Sequence, residues 1–134
     1  MQRYLLLYVL TVPVFFVIDL VWIGVVARGL YQREIGSLLL DSPRWVIALG
    51  FYLLYIVGIV ALAVLPGYAS GSLFEVVWRG ALLGLVAYAT YDLTNLATMK
   101  GWSATVTLID MVWGAVLTAA VATASYAIAG WLDV

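Results

Sequence analysis

Residues 17–24 read VIDLVWIG and place Asp19 in the middle of an apolar run. The run covers residues 4–27 with Asp19 as its one charged residue, and a helix of this length crosses a hydrocarbon core of about 30 Å. An ionisable group inside such a segment is costly and by default indicates a functional site. The stretch therefore predicts a transmembrane helix that carries a polar site. Because no small-residue cleavage site closes the run, we expect the first span to be uncleaved.

The composition of the whole chain is typical of an integral membrane protein. Of the 134 residues, 66% are hydrophobic and 10% are charged, and the mean hydropathy is +1.14. A soluble domain of this size could not cover so much apolar surface with so few polar residues. The net charge is −1 and there is no basic run, so nucleic acid is excluded as an expected partner. The expected surroundings are the lipid bilayer.

Four segments are long and apolar enough to span a bilayer. They cover about residues 4–27, 44–65, 74–99 and 104–130. The predicted fold class is all-α, an integral membrane four-transmembrane-helix bundle that forms one domain over residues 1–134. Pro66 and Gly67 are expected to end the second span, since proline and glycine commonly follow a helix.

The segment between the first two spans has two interpretations. Tyr31, Ile35, Leu38 and Leu39 fall on one helical face, which favours a short helix lying in the membrane interface. An ordinary connecting loop is the alternative. The sequence leaves both open.

Basic residues give the expected orientation in the membrane. One side carries Arg28, Arg33, Arg44 and Lys100, and the other carries Arg3 and Arg79. The side richer in lysine and arginine is normally cytoplasmic. We therefore expect a multi-pass protein of the bacterial inner membrane with both termini facing outward.

Three aspartates lie at a similar depth within the predicted spans. Asp19, Asp92 and Asp110 are each seven to nine residues from the polar segment on the same side of the membrane, or about 10–13 Å along a helix. Each is followed three residues later by an N–H donor on the same helical face. These donors are Trp22, Asn95 and Trp113. The spacing predicts a shared site for a proton, a cation or another ligand.

The cost of inserting three carboxylates decides between function and simple helix association. One aspartate at a helix centre costs about 2.5–3.5 kcal/mol, whereas a polar contact between transmembrane helices contributes about 0.6 kcal/mol on average. Helix association alone therefore does not offset the cost of inserting the aspartates, and a functional role for them is favoured. Carboxylates gathered in a low dielectric cannot all ionise, so at least one is expected to hold a proton.

The chain contains no cysteine and no histidine. Haem with a histidine ligand, iron–sulfur clusters and metals held by histidine or cysteine are therefore excluded. No cofactor is evident. A hard cation, if one binds, would take oxygen ligands from Asp19, Asp92 and Asp110.

The third span has a predicted packing face. Gly80, Gly84, Tyr88 and Asp92 recur at intervals of four residues, and the glycines allow a neighbouring helix to approach closely. Tyr88 is expected to donate to Asp92 or to line a cavity. Because four short helices make a thin bundle, a small-residue stripe is also expected to serve as a homodimer face.

The motif YDLTNLAT at 91–98, with DMVWG at 110–114, resembles a bacterial family of predicted membrane proteins of unknown function. The resemblance extends over nearly the whole chain. It implies a four-helix inner-membrane protein and carries no established activity. Asp92, Thr94 and Asn95 therefore belong to its motif without an implied role, and Lys100 follows the motif as a further ligand-binding candidate.

Three functional hypotheses remain open. The first is proton- or cation-linked transport of a small solute by the aspartates. The second is an enzyme acting on a lipid or isoprenoid, with the aspartates and Asn95 as acid, base or Mg²⁺ ligands and with Arg28, Arg33 and Lys100 holding a phosphate. The third is an accessory subunit of a larger membrane complex. Transport ranks first, because enzymes normally use a more varied set of catalytic groups.

Overall fold

The computed structural model describes residues 2–133, in which all regular secondary structure is helical. The helices are α1 (Gln2–Val21), α2 (Arg28–Ile35), α3 (Trp45–Ile59), α4 (Leu65–Ser70), α5 (Leu73–Thr98) and α6 (Ala104–Trp131). A π-helical turn, Trp22–Val26, extends α1, and a second, Val60–Val64, joins α3 to α4.

Four continuous helical segments are long and apolar enough to cross a membrane. They are Gln2–Val26, Trp45–Ser70, Leu73–Thr98 and Ala104–Trp131. The predicted all-α four-helix membrane bundle is therefore confirmed, and three of the four spans agree with the prediction to within two residues at each end.

The second span is longer than predicted. Instead of stopping at Pro66, the helix continues to Ser70 and ends at Gly71, whose φ of 70° is left-handed. Pro66 is tolerated because it directly follows the π-helical turn, where the regular hydrogen-bond pattern of the helix is already interrupted, so its missing N–H costs less than in a regular helix interior. The prediction that Pro66 and Gly67 end the span is wrong.

Helices α5 and α6 form the most extensive contact in the bundle. A Cβ atom on Gly84 would overlap the carbonyl oxygen of Gly114 in α6, and one on Gly80 would lie 3.0 Å from the Cα atom of Ala119. The two glycines therefore let the backbones touch, as the spacing predicts. This contact holds the N-terminal half of α5 against the middle of α6.

Buried hydroxyl groups connect the other helices. The Thr11 hydroxyl of α1 donates to the Leu7 carbonyl oxygen, so its 2.6 Å bond to Ser125 of α6 uses the serine proton. Tyr55 of α3 shares a 2.7 Å hydrogen bond with Thr118 of α6. Helix α6 is therefore the central helix, bonded to α1 and α3 and packed against α5.

The segment after the first span is a helix rather than an extended loop. Helix α2 turns Tyr31 and Ile35 inward and leaves Arg28 exposed. Glu34 accepts a 2.7 Å hydrogen bond from Ser103, the residue that caps α6. Helix α2 is thus fixed against the N-terminal end of α6, at the end of the bundle where α1 and α5 finish.

Candidate functional site

A cavity of about 380 Å³ lies at this end of the bundle, between α1, α2, α3, α5 and α6. Two of the three predicted aspartates, Asp19 and Asp110, line it. The rest of its wall is rich in aromatic side chains. These are three tryptophans, Trp22, Trp102 and Trp113, and four tyrosines, Tyr31, Tyr52, Tyr88 and Tyr91.

Asp92 and Asp110 form a carboxyl pair between α5 and α6. Asp92 is completely buried, and among the described residues no N–H group or hydroxyl group donates to either of its carboxyl oxygens. Its interacting neighbour is the carboxyl group of Asp110. An unpaired buried charge is strongly destabilising, and two adjacent carboxyl groups avoid it by sharing a proton. We therefore expect the pair to hold at least one proton.

Asp110 is also tied to α2 through Tyr31. The Trp22 indole N–H donates to the Tyr31 hydroxyl oxygen at 2.9 Å, and Tyr31 in turn donates its proton to Asp110. Burial, and then the hydrogen bond to Asp110, raise the pKa of Tyr31 above its ordinary value. Tyr31 is therefore a neutral donor over the ordinary pH range and holds the Asp110 carboxyl group in place.

Asp19 approaches the cavity from α1. It is 5% exposed, and its interacting neighbours include Trp113, Tyr52 and Asp110. The Trp113 indole nitrogen is buried and has no hydrogen-bond partner within residues 2–133, although Asp19 is close to it. Asp110 thus interacts both with Asp19 on the cavity wall and with Asp92 behind it.

Trp22 and Trp113 contact each other across helices and do not bond to the aspartate that precedes each of them by three residues. Trp22 and Trp113 stack with ring centroids 4.3 Å apart and an angle of 8° between the rings. Trp22 donates to Tyr31 instead of Asp19, and Asp92 receives no bond from Asn95. Among the described residues, none of the three donor pairs predicted from the three-residue spacing forms a hydrogen bond: Trp22 donates to Tyr31 of α2, and the Trp113 nitrogen and the Asp92 oxygens have no such bond.

Of the remaining predicted site residues, one lines the cavity and the others do not. Tyr88 lines the cavity as predicted, but it does not bond to Asp92. Thr94 is exposed and donates to the Thr90 carbonyl oxygen of its own helix. Asn95 and Lys100 are not among the residues that line the cavity, and Lys100 is exposed. These last three residues do not join the aspartates.

The sequence did not single out the tyrosines that other helices contribute to the site. Tyr52 of α3 and Tyr91 of α5 line the cavity, and Tyr31, noted for its helical face, bonds directly to Asp110. The one feature of the sequence that could have indicated them is the presence of aromatic residues near the polar ends of three helices. That signal is weak, because tyrosine and tryptophan are common at membrane interfaces for other reasons.

Within the described part of the chain, no group of three acidic side chains is arranged to hold a metal ion. The geometry instead favours a two-carboxyl pair with Asp19 as a separate acid on the cavity wall.

Replacing Tyr31 with phenylalanine is expected to lower the free energy of unfolding by about 1 kcal/mol, since Asp110 loses a donor and Trp22 loses its acceptor. Because the pKa of Tyr31 is raised in the fold, the difference in unfolding free energy between the variant and the wild type should have its full size at neutral pH. It should decrease only above the ordinary tyrosine pKa of 10.0. Denaturant titration at several pH values measures it. Tyr4→Phe, at the exposed start of α1, is the control, and an equal effect of both variants would contradict the assignment.

These features define a class of protein: a four-helix membrane protein with a buried carboxyl pair beside an aromatic cavity. The chain belongs to the family described as "Predicted membrane protein (DUF2177)", which matches residues 4–127. This confirms the resemblance to a membrane protein family of unknown function. Neither a curated protein nor a solved structure matches the chain.

Proposed function

We propose that this protein is a proton-linked transporter of a small cationic solute. The observation that carries the proposal is the position of Asp92, which is completely buried, receives no hydrogen bond from an N–H group or hydroxyl group among the described residues, and lies beside Asp110. Asp110 also lines the cavity. The carboxyl group of Asp110 therefore both shares a proton with Asp92 and lines the binding site.

This arrangement links proton and solute by simple electrostatics. A cation that enters the cavity beside Asp19 and Asp110 favours negative charge there, so the Asp92–Asp110 pair releases its proton. Return of a proton to this pair in turn weakens the attraction between the cavity and the cation. Because such coupling is reciprocal, proton release and solute binding drive each other in both directions.

The proposal includes a location and an assembly. The cavity lies at the end of the bundle that carries Arg28, Arg44 and Lys100, so by the positive-inside rule it faces the cytoplasm of a bacterium, with both termini outward. The functional unit would be a homodimer, since a single four-helix bundle offers few helices for alternating access. Cysteines introduced at residues 2 and 133 and labelled from outside intact cells would test the orientation.

Proton movement in liposomes tests the function directly. The purified protein is reconstituted with a pH-sensitive dye inside, and cationic, neutral and anionic solutes are added outside. Quaternary ammonium ions are the most informative cations, because they cannot carry a proton themselves. We expect at least one cation to drive protons out of wild-type liposomes, and we expect Asp92→Asn to reduce the signal to that of empty liposomes.

Asp41→Asn is the matched control, because Asp41 is an exposed aspartate outside the four spans. It should behave as the wild type. Unchanged proton movement in Asp92→Asn, or no movement with any solute in the wild type, would overturn the proposal.

A further inference from the structure

The walls of the cavity combine acidic and aromatic groups in a way that suits an organic cation. Asp19 and Asp110 supply negative charge, and the faces of tryptophan and tyrosine rings attract ammonium groups, most strongly where water is excluded. An ammonium group surrounded by aromatic rings is bound well, whereas an anion would meet two carboxyl groups. Arg28, the basic residue in the lining, is exposed.

Asp19 is a buried acid for which the described part of the chain provides no ion-pair partner. The Trp113 indole N–H lies close to it and is a hydrogen-bond donor without a positive charge. Asp19 itself is 95% removed from the surface while lining the cavity. An acid in this position normally has a counter-charge or a proton, and an ammonium ligand would supply the counter-charge.

A second cavity of about 450 Å³ adjoins this site. It lies between α3 and α5 and shares Tyr52, Tyr88, Tyr91 and Asp110 with the first cavity. Its remaining lining is apolar and consists of Ala48, Phe51 and Ala87. Phe51 and Tyr91 are 52% and 57% exposed, and in a membrane-spanning segment that exposed surface faces acyl chains. The second cavity therefore lies between the acidic site and the exposed surface of α3 and α5.

We infer that the solute is an amphipathic organic cation, with its ammonium group in the aromatic cavity against Asp19 and Asp110 and its apolar tail in the cavity between α3 and α5. This inference rests on the proposed function and names the class of solute. A tail lying between α3 and α5 allows entry sideways from the bilayer. The same ammonium chemistry is found on free amines and on zwitterionic lipid headgroups, which differ by a phosphate.

Calorimetry on the protein in lipid nanodiscs, with empty nanodiscs as the blank, tests this chemistry. Four probes are compared, which carry a quaternary ammonium head, an octyl tail or both. They are tetramethylammonium, octyltrimethylammonium, octylphosphocholine and octyl sulfonate. We expect octyltrimethylammonium to bind at least about tenfold more tightly than tetramethylammonium, because only the former fills the second cavity. Octyl sulfonate should not bind. Equal binding of octyl sulfonate and octyltrimethylammonium would overturn the inference.

Two variants separate the head site from the tail site. Asp19→Asn should weaken both ammonium probes by about tenfold or more, whereas Asp41→Asn should not. Ala48→Leu, which fills the second cavity, should weaken octyltrimethylammonium and leave tetramethylammonium unchanged. Ala120→Leu, on an exposed part of α6, is its control. If Ala48→Leu affects neither probe, the placement of the tail is wrong.

The remaining outcomes distinguish the source of the ammonium group and the two proposals. Octylphosphocholine binding as tightly as octyltrimethylammonium would identify a lipid headgroup, and much weaker binding would identify a free cation. If octyltrimethylammonium binds but drives no protons in liposomes, the class of solute stands and the transport proposal fails. If only neutral or anionic solutes drive protons, proton coupling stands and the class of solute is wrong.

Discussion

Replacing Gly84 with alanine is expected to lower the free energy of unfolding by about 1–3 kcal/mol, the usual cost of inserting a methyl group where no space exists. A Cβ atom at this position would overlap the backbone carbonyl oxygen of Gly114 and the hydroxyl of Thr118. Backbone atoms cannot rotate away as a flexible side chain can, so α5 and α6 must move apart. Helicity followed by circular dichroism during titration with sodium dodecyl sulfate in mixed micelles measures the loss.

Gly50→Ala is the matched control for this prediction. Gly50 also lies within a transmembrane helix, but a Cβ atom there would meet nothing within 4 Å. Alanine favours helix by about 1 kcal/mol relative to glycine, so Gly50→Ala should be neutral or slightly stabilising. If the two variants change stability equally, the effect belongs to helix propensity and the close contact between α5 and α6 does not stabilise the fold.

Much of the fold could be predicted because the bilayer imposes a simple rule on the sequence. A span needs about 20 apolar residues, and the segments that contain Asp19, Asp92 and Asp110 satisfy it plainly. The contact at Gly80 and Gly84 also follows from local spacing. The extension of the second span past Pro66 could not be predicted, because it depends on a π-helical turn that no local residue pattern marks.

The candidate site was predictable only in part, for a physical reason. Depth along a helix follows from counting residues, so the common level of the aspartates could be inferred. The rotation of each helix about its axis, and the direction of each side chain, depend on contacts between helices. Asp92 therefore faces Asp110 rather than Asn95, Trp22 bonds to Tyr31, and Thr94 lies on the exposed side of α5.

Replacing Asp110 with asparagine is expected to abolish proton-linked transport while the fold is retained. The amide oxygen of asparagine can still accept the hydrogen bond from Tyr31, and its N–H group can donate to Asp92. What is lost is the titratable group that interacts with both Asp92 and Asp19. The internal pH signal in liposomes should fall to that of protein-free liposomes, and the circular dichroism spectrum should match the wild type.

A double variant shows whether Asp92 and Asp110 act as one unit. If they share a proton, removing either acid already removes the exchange, so Asp92→Asn with Asp110→Asn should be no worse than either change alone. Asp110→Ala provides a contrast, because it also leaves the Tyr31 hydroxyl without an acceptor and should cost a further 1–3 kcal/mol or so of stability. Two partial defects that add up in the double variant would instead mean that the two acids bind protons independently. In that case Asp110 would only attract the cation, and proton coupling through a carboxyl pair would be wrong.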